Sequence, residues 1–382
     1  MTNKLSYFFL LINLKVVFLL SFLLRKTSFV YNPKKKKHDL ILFPFTQKGS
    51  DGYSRRFEVY FKFLEKDNID YHVCNIFDNE YIIKKESGKP KDRYKLYRKI
   101  AWIRLRQVLK ARKYKAVFIH RGLFPYYPDL ETPFFEKLLR KLNNNITIDF
   151  WDSVWIFEGE KLIKETIRYS DKISVVNNFI SDYFSFSKKP KLMFPIGVDL
   201  SKYSKKENYD LKTPISLFYT GSPENVKNFL KLMEPILLKL KTKYQFELRI
   251  VSRARIYIEN ININYFDFDE NTFFKLLKNS DIGLYKVNID EKSKGKMAMK
   301  VLDYMSAGLP TLVTPSGLSP FCTDKKNTLF CCAEKDWIRN FELLIENKNL
   351  RMNIGKNGLG TVLENHSLNN SYLKFKQLIE KK

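Results

Sequence analysis

Residues 281–317, DIGLYKVNIDEKSKGKMAMKVLDYMSAGLPTLVTPSG, contain two apolar runs on either side of a helical pattern. The runs DIGLY (281–285) and TLVT (311–314) predict strands, and KGKMAMKVLDYMSAGLP (294–310) predicts a helix followed by a stop. Gly308 suits the position just past that helix, and Pro310 prevents its continuation. A strand, a helix and a second strand in this order predict a parallel βαβ unit.

Two lysines occupy the first turns of the predicted helix, although the amino end of a helix already carries a partial positive charge. Lys296 and Lys300 are therefore disfavoured there unless an anion lies between them. Asp303 shares their face, and about 10 Å of helix axis separates it from Lys296, roughly the reach from a diphosphate to the ribose of one nucleotide. Ser293 is the expected cap. The alternative is a solvated face with a weak pair between Lys300 and Asp303.

The same alternation of apolar runs and helical patterns extends through most of the chain. Further strands are predicted at 39–45, 71–76, 115–120, 146–150, 172–176, 215–220, 246–251, 263–266 and 328–331. The Pro-, Gly- and polar-rich residues 195–214 predict a linker, and the chain from 334 onward has a helical pattern. The pattern favours parallel sheets flanked by helices.

We therefore predict an α/β protein with two Rossmann-like, doubly wound domains that face a cleft. The expected divisions are a hydrophobic and basic segment at 1–37, an amino-terminal domain at 38–200, a carboxyl-terminal domain at 201–365 and a final helix at 366–382. Ligands of such sheets bind at the carboxyl ends of the strands, so the cleft is the expected site.

The composition is strongly basic. The 382 residues include 68 Lys+Arg against 41 Asp+Glu, a net charge of +27, which predicts attraction to nucleic acid, acidic lipid or phosphorylated substrates. Charge alone does not choose among them. The four cysteines form no CxxC pair, which fits a reducing compartment better than a disulfide scaffold.

The amino-terminal run LSYFFLLINLKVVFLLSFLL (5–24) is long enough to cross a bilayer as a helix, although Asn13 and Lys15 weaken this prediction. Arg25, Lys26 and the run PKKKK (33–37) follow it. Because positive residues stay on the cytoplasmic side, we predict association with the cytoplasmic face of the plasma membrane. The alternatives to a spanning helix are a helix in the interface and a buried hydrophobic helix.

The segment 281–317 resembles the donor-binding segment of glycosyltransferase family 4, the group 1 retaining enzymes with the GT-B fold. Asp303 stands at the second position of the family's E-x7-E motif, whose carboxylate holds the ribose hydroxyls. Gly295 stands at the first position, a departure found in the GKxxxK branch of the family. This departure removes the carboxylate expected to contact the sugar.

The run YTGSPENVKN (219–228) resembles the start of the second domain in the same family, where a glycine turn and a downstream lysine meet the phosphates. Gly221, Ser222 and Lys227 occupy those places. The resemblance implies donor binding by these three residues together with Lys296, Lys300 and Asp303. It also implies that Lys227 and Lys296 stabilise the departing diphosphate without a metal. An ordinary turn and helix cap is the alternative.

The run FPFTQKGSDGYSRRFEVYFKFL (43–64) resembles the opening strand, glycine loop and first helix of the family. Gly49 and Gly52 would let a substrate approach the backbone closely, and Arg55 and Arg56 would meet phosphate. The alternative is a flexible turn that leads into a basic surface helix.

The run FIHRGLFP (118–125) resembles a strand end of the same family, and the resemblance as a whole covers roughly 39–365. His120 and Arg121 are the acceptor-side candidates, because a neutral imidazole can hydrogen-bond a sugar hydroxyl. A purely structural histidine is the alternative. Asp267 and Asp269 have the D-x-D spacing of metal-binding glycosyltransferases, but Asp269 suits a helix cap and we predict no metal.

The predicted function is therefore a membrane-associated, retaining glycosyltransferase of bacterial surface polysaccharide synthesis. It would move a sugar from a nucleotide diphosphate sugar to a lipid-linked or saccharide acceptor and would need no cofactor. Two alternatives remain open. One is a basic nucleic-acid-binding protein, and the other is a GT-B module that binds a nucleotide sugar without turnover.

Overall fold

A computed structural model of the protein describes residues 37–76, 90–125 and 131–380, with the backbone alone for 90–94, and scattered positions between 5 and 23. The chain divides into two compact units. Unit 1 comprises Met1–Ile196 and Tyr372–Lys382, and unit 2 comprises Gly197–Ser371.

Within the described residues, unit 1 forms a six-stranded sheet in the order β2-β1-β3-β4-β5-β6, and every neighbouring pair is parallel. The strands are β1 (His38–Phe43), β2 (Tyr71–Val73), β3 (Tyr114–His120), β4 (Ile146–Phe150), β5 (Lys172–Val175) and β6 (Lys191–Met193). The sequence analysis missed β6, because this edge strand has only three residues and lies between Pro190 and Pro195.

The helices of unit 1 connect these strands. They are α1 (Asp51–Tyr53), α2 (Val59–Lys66), α3 (Pro90–Lys110), α4 (Phe134–Leu142), α5 (Trp155–Glu158), α6 (Glu160–Arg168) and α7 (Asn178–Tyr183). A π-helical segment, Ser54–Glu58, joins α1 to α2.

The described part of unit 2 contains a second six-stranded parallel sheet, in the order β12-β11-β10-β7-β8-β9. Its strands are β7 (Ile215–Thr220), β8 (Phe246–Val251), β9 (Ile263–Phe266), β10 (Ile282–Tyr285), β11 (Thr311–Val313) and β12 (Leu329–Phe330). The two parallel sheets confirm the predicted α/β class, and β4, β7, β8 and β9 have the predicted bounds.

The later helices are α8 (Pro223–Lys241), α9 (Glu270–Lys278), α10 (Glu291–Lys294), α11 (Met299–Ser306), α12 (Glu334–Glu346), α13 (Lys348–Asn365) and α14 (Leu368–Ile379). The final helix, which the sequence analysis separates as 366–382, returns to unit 1. Tyr372 and Phe375 pack with Tyr60 and Phe194 in the core of that unit. Because this core needs α14, unit 1 is built from both ends of the chain.

The residues predicted as an interdomain linker, 195–214, are not a free linker. The phenol of Tyr209 donates to the carbonyl of Gly308 at 2.9 Å, and Arg351 Nε donates to the carbonyl of Tyr209 at 3.0 Å. Lys206 Nζ donates to the carbonyl of Ser280 at 2.7 Å. From Gly197 onward this stretch therefore belongs to unit 2.

The hydrophobic run predicted as a membrane helix at 5–24 lies partly outside the described residues. Described positions within it are helical, and several present large apolar side chains to solvent, among them Leu5, Phe8, Phe9, Leu19 and Leu23. In the part of the chain that is described, no helix has the length and apolar character needed to span a bilayer.

Candidate functional site

The segment that carries the two predicted donor lysines is not one helix. Helix α11 begins at Met299, so Lys296 precedes it and the prediction of a helix from 294 is wrong at this end. Ser293 is not its cap: it lies inside α10, where its amide donates to Asp290 Oδ1 at 2.7 Å. The other end is as predicted, since Gly308 adopts a φ of +71° just past the helix.

A loop after β11 interrupts the expected helix. The amide of Ala298 donates to the carbonyl of Gly317 at 2.7 Å, and the hydroxyls of Ser293 and Ser316 lie 2.7 Å apart. Gly317 has a φ of +65°, and a Cβ there would collide with the carbonyl of Ser293 and lie 2.9 Å from that of Lys296. This loop therefore fixes the backbone that carries Lys296.

Lys300 lies at the carboxyl end of β7, beside the predicted phosphate turn. Its Nζ is 5.6 Å from the ring centroid of Tyr219, and a Cβ on Gly221 would lie 3.4 Å from its Cε. Burial, followed by repulsion from Lys296, lowers the pKa of Lys300 to about 8, and attraction to Asp303 opposes this shift. A bound anion would stabilise the charged form of this partly desolvated ammonium group, which lies next to a second lysine.

The turn after β7 leads into α8 through a helix cap, which both the predicted phosphate turn and its alternative, an ordinary turn and cap, would show. The amide of Gly221 donates to the carbonyl of Val251, and Ser222 caps α8 by accepting from the amide of Asn225. Lys227 is exposed on the second turn of α8. The partial positive charge at the start of this helix favours an anion there.

The position of this turn in the sheet agrees with a ligand site. Strand β7 lies in the middle of its sheet, with β8 on one side and β10 on the other. The chain proceeds from β7 to β8 and β9 in one direction and then crosses to β10, so the connections reverse beside β7. Open α/β sheets bind their ligands at the carboxyl ends of strands next to such a reversal.

Asp303 lies on α11 one turn after Lys300 and is buried. The phenol of Tyr203 donates a hydrogen bond to Asp303 Oδ1 at 2.5 Å. The ring of Tyr203 packs at 4.7 Å, centroid to centroid, against Phe274 of α9. Sequence reasoning missed Tyr203, because it stands in the polar stretch predicted as a linker and nothing in its neighbourhood indicates a partner 100 residues away.

In unit 1, His120 ends β3 and is completely buried. Neither ring nitrogen has a hydrogen-bond partner among the described residues. The imidazole meets the ring of Trp151 edge-on at 5.0 Å, centroid to centroid. Burial, aided by the positive charges of Arg121 and Arg56, holds the pKa of His120 well below its usual value, so the ring is neutral. Unpaired buried polar atoms are rare in native proteins, and a ligand hydroxyl would pair these.

The glycine loop after β1 approaches the same histidine through Trp151. A Cβ on Gly52 would lie 3.0 Å from Trp151 Cη2, so glycine lets the indole ring contact the start of the helical segment. Gly49 adopts a φ of +83°, which favours glycine. Thr46, in the same loop, has a buried hydroxyl without a hydrogen-bond partner among the described residues. Trp151 and Thr46 were not predicted, although Trp151 directly follows a buried strand.

Arg121 follows His120 with a φ of +65°, and its amide donates to the carbonyl of Asp149 at 2.9 Å. Its guanidinium lies 5.0 Å from the ring centroid of Phe45 and pairs with Glu158 at 3.4 Å. Burial raises the pKa of Glu158, repulsion from Glu136 adds to this, and the charge of Arg121 opposes it. The structure thus brings His120, Arg121, Gly52 and Trp151 to the carboxyl ends of β1, β3 and β4.

The prediction that Arg56 meets phosphate is wrong. Its guanidinium is buried, donates from Nε to Asp149 Oδ2 at 2.7 Å and donates to the carbonyl of Phe194 at 3.0 Å. Asp149 also accepts from the Ser174 hydroxyl at 2.6 Å. Arg55 pairs with Asp51 at 2.7 Å on the surface. Arg56 therefore stabilises the sheet, and its donors are bonded to Asp149 and Phe194 instead of a phosphate.

The D-x-D pattern at 267–269 serves the fold. Asp269 caps α9 by accepting from the amide of Thr272 at 2.9 Å, and Asp267 pairs with Arg255 at 2.9 Å. The backbone hydrogen bond from Thr272 lowers the pKa of Asp269. Across the described ranges, no group of three or more His, Cys, Asp or Glu residues is placed to hold a metal.

Residues 232–377 match a family model described as glycosyl transferase-like. No curated protein matches the chain. Among solved structures, a glycosyltransferase from Rickettsia africae ESF-5 is 14% identical with a TM-score of 0.63, and the match covers 90% of this chain and 98% of that one. Sucrose-phosphate synthase from Thermosynechococcus elongatus is 11% identical with a TM-score of 0.63 and the same coverage of both chains.

HepE from Anabaena, in complex with UDP and glucose, is 10% identical with a TM-score of 0.58, and the match covers 89% of this chain and 98% of that one. The two parallel-sheet units thus have the GT-B fold of glycosyltransferases. These findings support a glycosyltransferase enzyme.

Proposed function

We propose that the protein transfers a sugar from a nucleotide diphosphate sugar to a lipid-linked or saccharide acceptor, with net retention of anomeric configuration. The observation that carries this proposal is Lys300, an ammonium group with a lowered pKa that faces Gly221 and is repelled by Lys296. A diphosphate between these groups would offset both costs. The presence of UDP and glucose in the structure of HepE supports a donor of this class.

In unit 2, each donor-binding residue has a distinct role in the proposal. The diphosphate binds at the turn of Gly221 and Ser222, and Lys296 and Lys300 neutralise its charge. Lys227, on the second turn of α8, adds a cation near the amino end of that helix. As the bond between sugar and phosphate breaks, negative charge grows on the diphosphate, and groups already in place stabilise it without a metal.

The ribose binds at Asp303. Tyr203 holds one carboxylate oxygen, so the side chain is oriented before the nucleotide arrives. Such orientation lowers the entropy lost when the ribose hydroxyls bind.

In unit 1, His120 and Arg121 contact the acceptor side in this proposal. The neutral imidazole has two unpaired nitrogens, one a donor and one an acceptor, and both suit sugar hydroxyls. Gly49 leaves the neighbouring backbone open to the acceptor, whereas Gly52 is covered by Trp151 and acts by letting that ring pack close to His120. The acceptor belongs to bacterial surface polysaccharide synthesis at the cytoplasmic face of the membrane, a placement supported by the exposed apolar side chains between 5 and 23 and by the net charge of +27.

A thermal-shift panel of UDP, GDP and ADP sugars on the purified chain tests the donor site. One sugar nucleotide should raise the melting temperature, and Lys296→Ala should abolish the shift while leaving the unliganded melting temperature nearly unchanged, because this side chain is exposed. Lys231→Ala, an exposed lysine one turn beyond Lys227, is the matched control and should keep the shift. A large loss of unliganded stability in Lys296→Ala would mean that this lysine is structural.

Transfer of labelled sugar, or hydrolysis of the donor, separates the enzyme from a module that only binds. The basic charge also leaves nucleic acid as a second candidate partner. Salt-sensitive copurification with nucleic acid, visible as excess absorbance at 260 nm, would favour that candidate and contradict the proposal if no sugar nucleotide bound.

A further inference from the structure

Helix α3 presents one continuous outer stripe that no role in the proposed reaction uses. The stripe, here called the α3 stripe, consists of Lys95, Arg98, Lys99, Trp102, Ile103, Arg106 and Lys110. Successive members are one, three or four residues apart, so they share one face over about 22 Å of helix. The opposite face is buried and includes Leu96, Ile100, Leu105 and Val108.

The stripe is strongly positive, and Asp92, near its start, is the one acidic residue in the sequence of α3. Lys95, Arg98, Arg106 and Lys110 are exposed, and none forms an ion pair within the described part of the chain. Residues 93–128 contain no Asp or Glu at all. Four unpaired cations on one helix face create a potential that attracts a polyanion.

The neighbouring helix extends the same charge. Helix α4 packs against α3 and exposes Lys137 and Lys141, which also lack an ion pair in the described ranges. The acidic residue of α4, Glu136, is buried and accepts from the amide of Leu123 at 2.7 Å. It therefore faces the interior and leaves the outer surface of both helices positive.

Another outer helix of unit 1 is built differently. On α6, Lys164 pairs with Glu160 at 2.8 Å and Arg168 pairs with Glu165 at 2.7 Å. Charges balanced in this way give a solvated surface. The α3 stripe thus differs from α6, although both helices belong to the same basic chain.

The centre of the stripe is apolar. Trp102 and Ile103 are half-buried and lie between Arg98 and Arg106. Tryptophan favours the boundary between lipid headgroups and acyl chains, and cations on either side can reach the phosphates while their stems cover apolar surface. A helix face with a cationic margin and an apolar centre is typical of helices that lie in a membrane interface.

We propose that the α3 stripe docks unit 1 onto a membrane surface rich in anionic lipid. The same unit exposes large apolar side chains at described positions between 5 and 23, which is consistent with a second contact to the bilayer. The proposal adds a second surface by which the protein would contact the membrane. It rests on the proposed function only because that function assigns the acceptor to a membrane.

Vesicle binding tests the proposal with the full chain and needs no donor. The quantity measured is the ratio of partition coefficients on vesicles containing phosphatidylglycerol and on phosphatidylcholine vesicles. The stripe variant is K95Q/R98Q/R106Q/K110Q. The control, K231Q/K241Q/K275Q/K356Q, removes the same charge from exposed lysines of unit 2. The stripe variant should lower the ratio by up to roughly 1,000-fold, since each cation near an anionic surface contributes about 1 kcal/mol, and the control should lower it by much less.

Lipids with brominated acyl chains report the contact directly, because they quench tryptophan at the interface. Wild-type protein should show a quenched component that Trp102→Phe removes, while Trp102→Phe keeps most of the binding. The proposal would be overturned by a wild-type ratio of partition coefficients near one, or by an equal loss in the two quadruple variants. It would also be overturned if the stripe variant kept its vesicle binding but lost heparin binding. Heparin binding alone would assign the stripe to a soluble polyanion.

Failure of this proposal is distinguishable from failure of the proposed function. The stripe variant changes no residue of the donor site, so its thermal shift with the sugar nucleotide should equal that of the wild type. If the shift is present and vesicle binding is unchanged, only the docking surface is wrong. If vesicle binding is lost as expected and no sugar nucleotide gives a shift, only the donor assignment is wrong.

Discussion

The phenol of Tyr203 donates a 2.5 Å hydrogen bond to Oδ1 of Asp303, a carboxylate that the fold buries. The tyrosine comes from the stretch that enters unit 2, and the aspartate from α11. Because the bond holds Asp303 in one orientation without a bound nucleotide, affinity for the nucleotide should depend on Tyr203.

Tyr203→Phe should reduce both stability and affinity for the sugar nucleotide. A hydrogen bond to a charged group contributes about 1.5 to 3 kcal/mol, so the free energy of unfolding should fall by about that amount. The affinity should fall by roughly tenfold, because Asp303 loses its fixed orientation. Urea denaturation and titration calorimetry measure the two effects.

The control is Tyr209→Phe, which removes a phenol that donates to the carbonyl of Gly308 in the same unit. It should lower stability by about 1 kcal/mol and leave nucleotide affinity unchanged. Equal affinity losses in the two variants would contradict a specific role for Tyr203.

Lys300→Met should stabilise the unliganded protein and weaken nucleotide binding. The pKa of Lys300 is about 8 in the folded chain against 10.5 for an ordinary lysine, so the unfolded chain holds its proton more tightly. The resulting penalty on folding is fully present below pH 8 and disappears as the pH rises from 8 to 10.5. Methionine removes the penalty, so the melting temperature at pH 7 should rise while the shift induced by the sugar nucleotide falls.

The pH dependence of nucleotide affinity supplies a second readout for Lys300. In the wild type, affinity should decrease above pH 8 as the ammonium loses its proton, with the midpoint moved upward because the bound anion favours the charged form. Lys300→Met should lack this decrease. A lower unliganded melting temperature at pH 7 would show that the charged lysine stabilises the fold.

Asp149→Asn should lower the stability of unit 1 severely, through the loss of a structural ion pair and not of a substrate contact. Removing one partner of a buried ion pair leaves the other charge uncompensated, at a cost of about 3 to 5 kcal/mol. The uncompensated charge would be that of Arg56, which is buried and donates from Nε to Asp149 Oδ2 at 2.7 Å. Asp51→Asn, which breaks the surface pair with Arg55, should cost at most about 1 kcal/mol. Urea denaturation compares the two, and a similar small loss in both would contradict the buried pair.

His120→Gln should make stability less sensitive to acid and should reduce transfer. The pKa of His120 is held well below 6.5, so the unfolded chain takes up a proton below that pH and the folded chain does not. Stability is therefore lost as the pH falls below 6.5, and glutamine at 120 should flatten the fall in melting temperature between about pH 7 and pH 5.

His72→Gln is the comparison variant, since burial also lowers the pKa of His72, although this ring is half-buried. His72→Gln should flatten the fall in melting temperature with pH less than His120→Gln does, and it should leave sugar transfer unchanged. If His120→Gln instead retained full transfer activity with every acceptor tested, His120 would be a structural residue only.

Much of the fold was predictable because strand formation depends on local patterns. Buried parallel strands are apolar on both faces, so runs such as those of β4 and β7 are visible in a single sequence. The edge strand β6 was missed because its side chains are partly or fully exposed. The start of α11 was misplaced because the amide of Ala298 is taken by Gly317, a partner 19 residues away that no local pattern indicates.

The class of fold, the order of strands along the chain and the residue types able to bind a diphosphate can be derived from the amino-acid sequence, since these follow from periodicity and side-chain chemistry. Which of those residues are available to a ligand depends on how the folded chain packs. Arg56 and Arg55 are adjacent in sequence, yet one is buried against Asp149 and the other lies on the surface. Lys300 acquires its lowered pKa, and Asp303 its partner Tyr203, through contacts between distant segments, because desolvation and hydrogen-bond geometry exist only once the chain is packed.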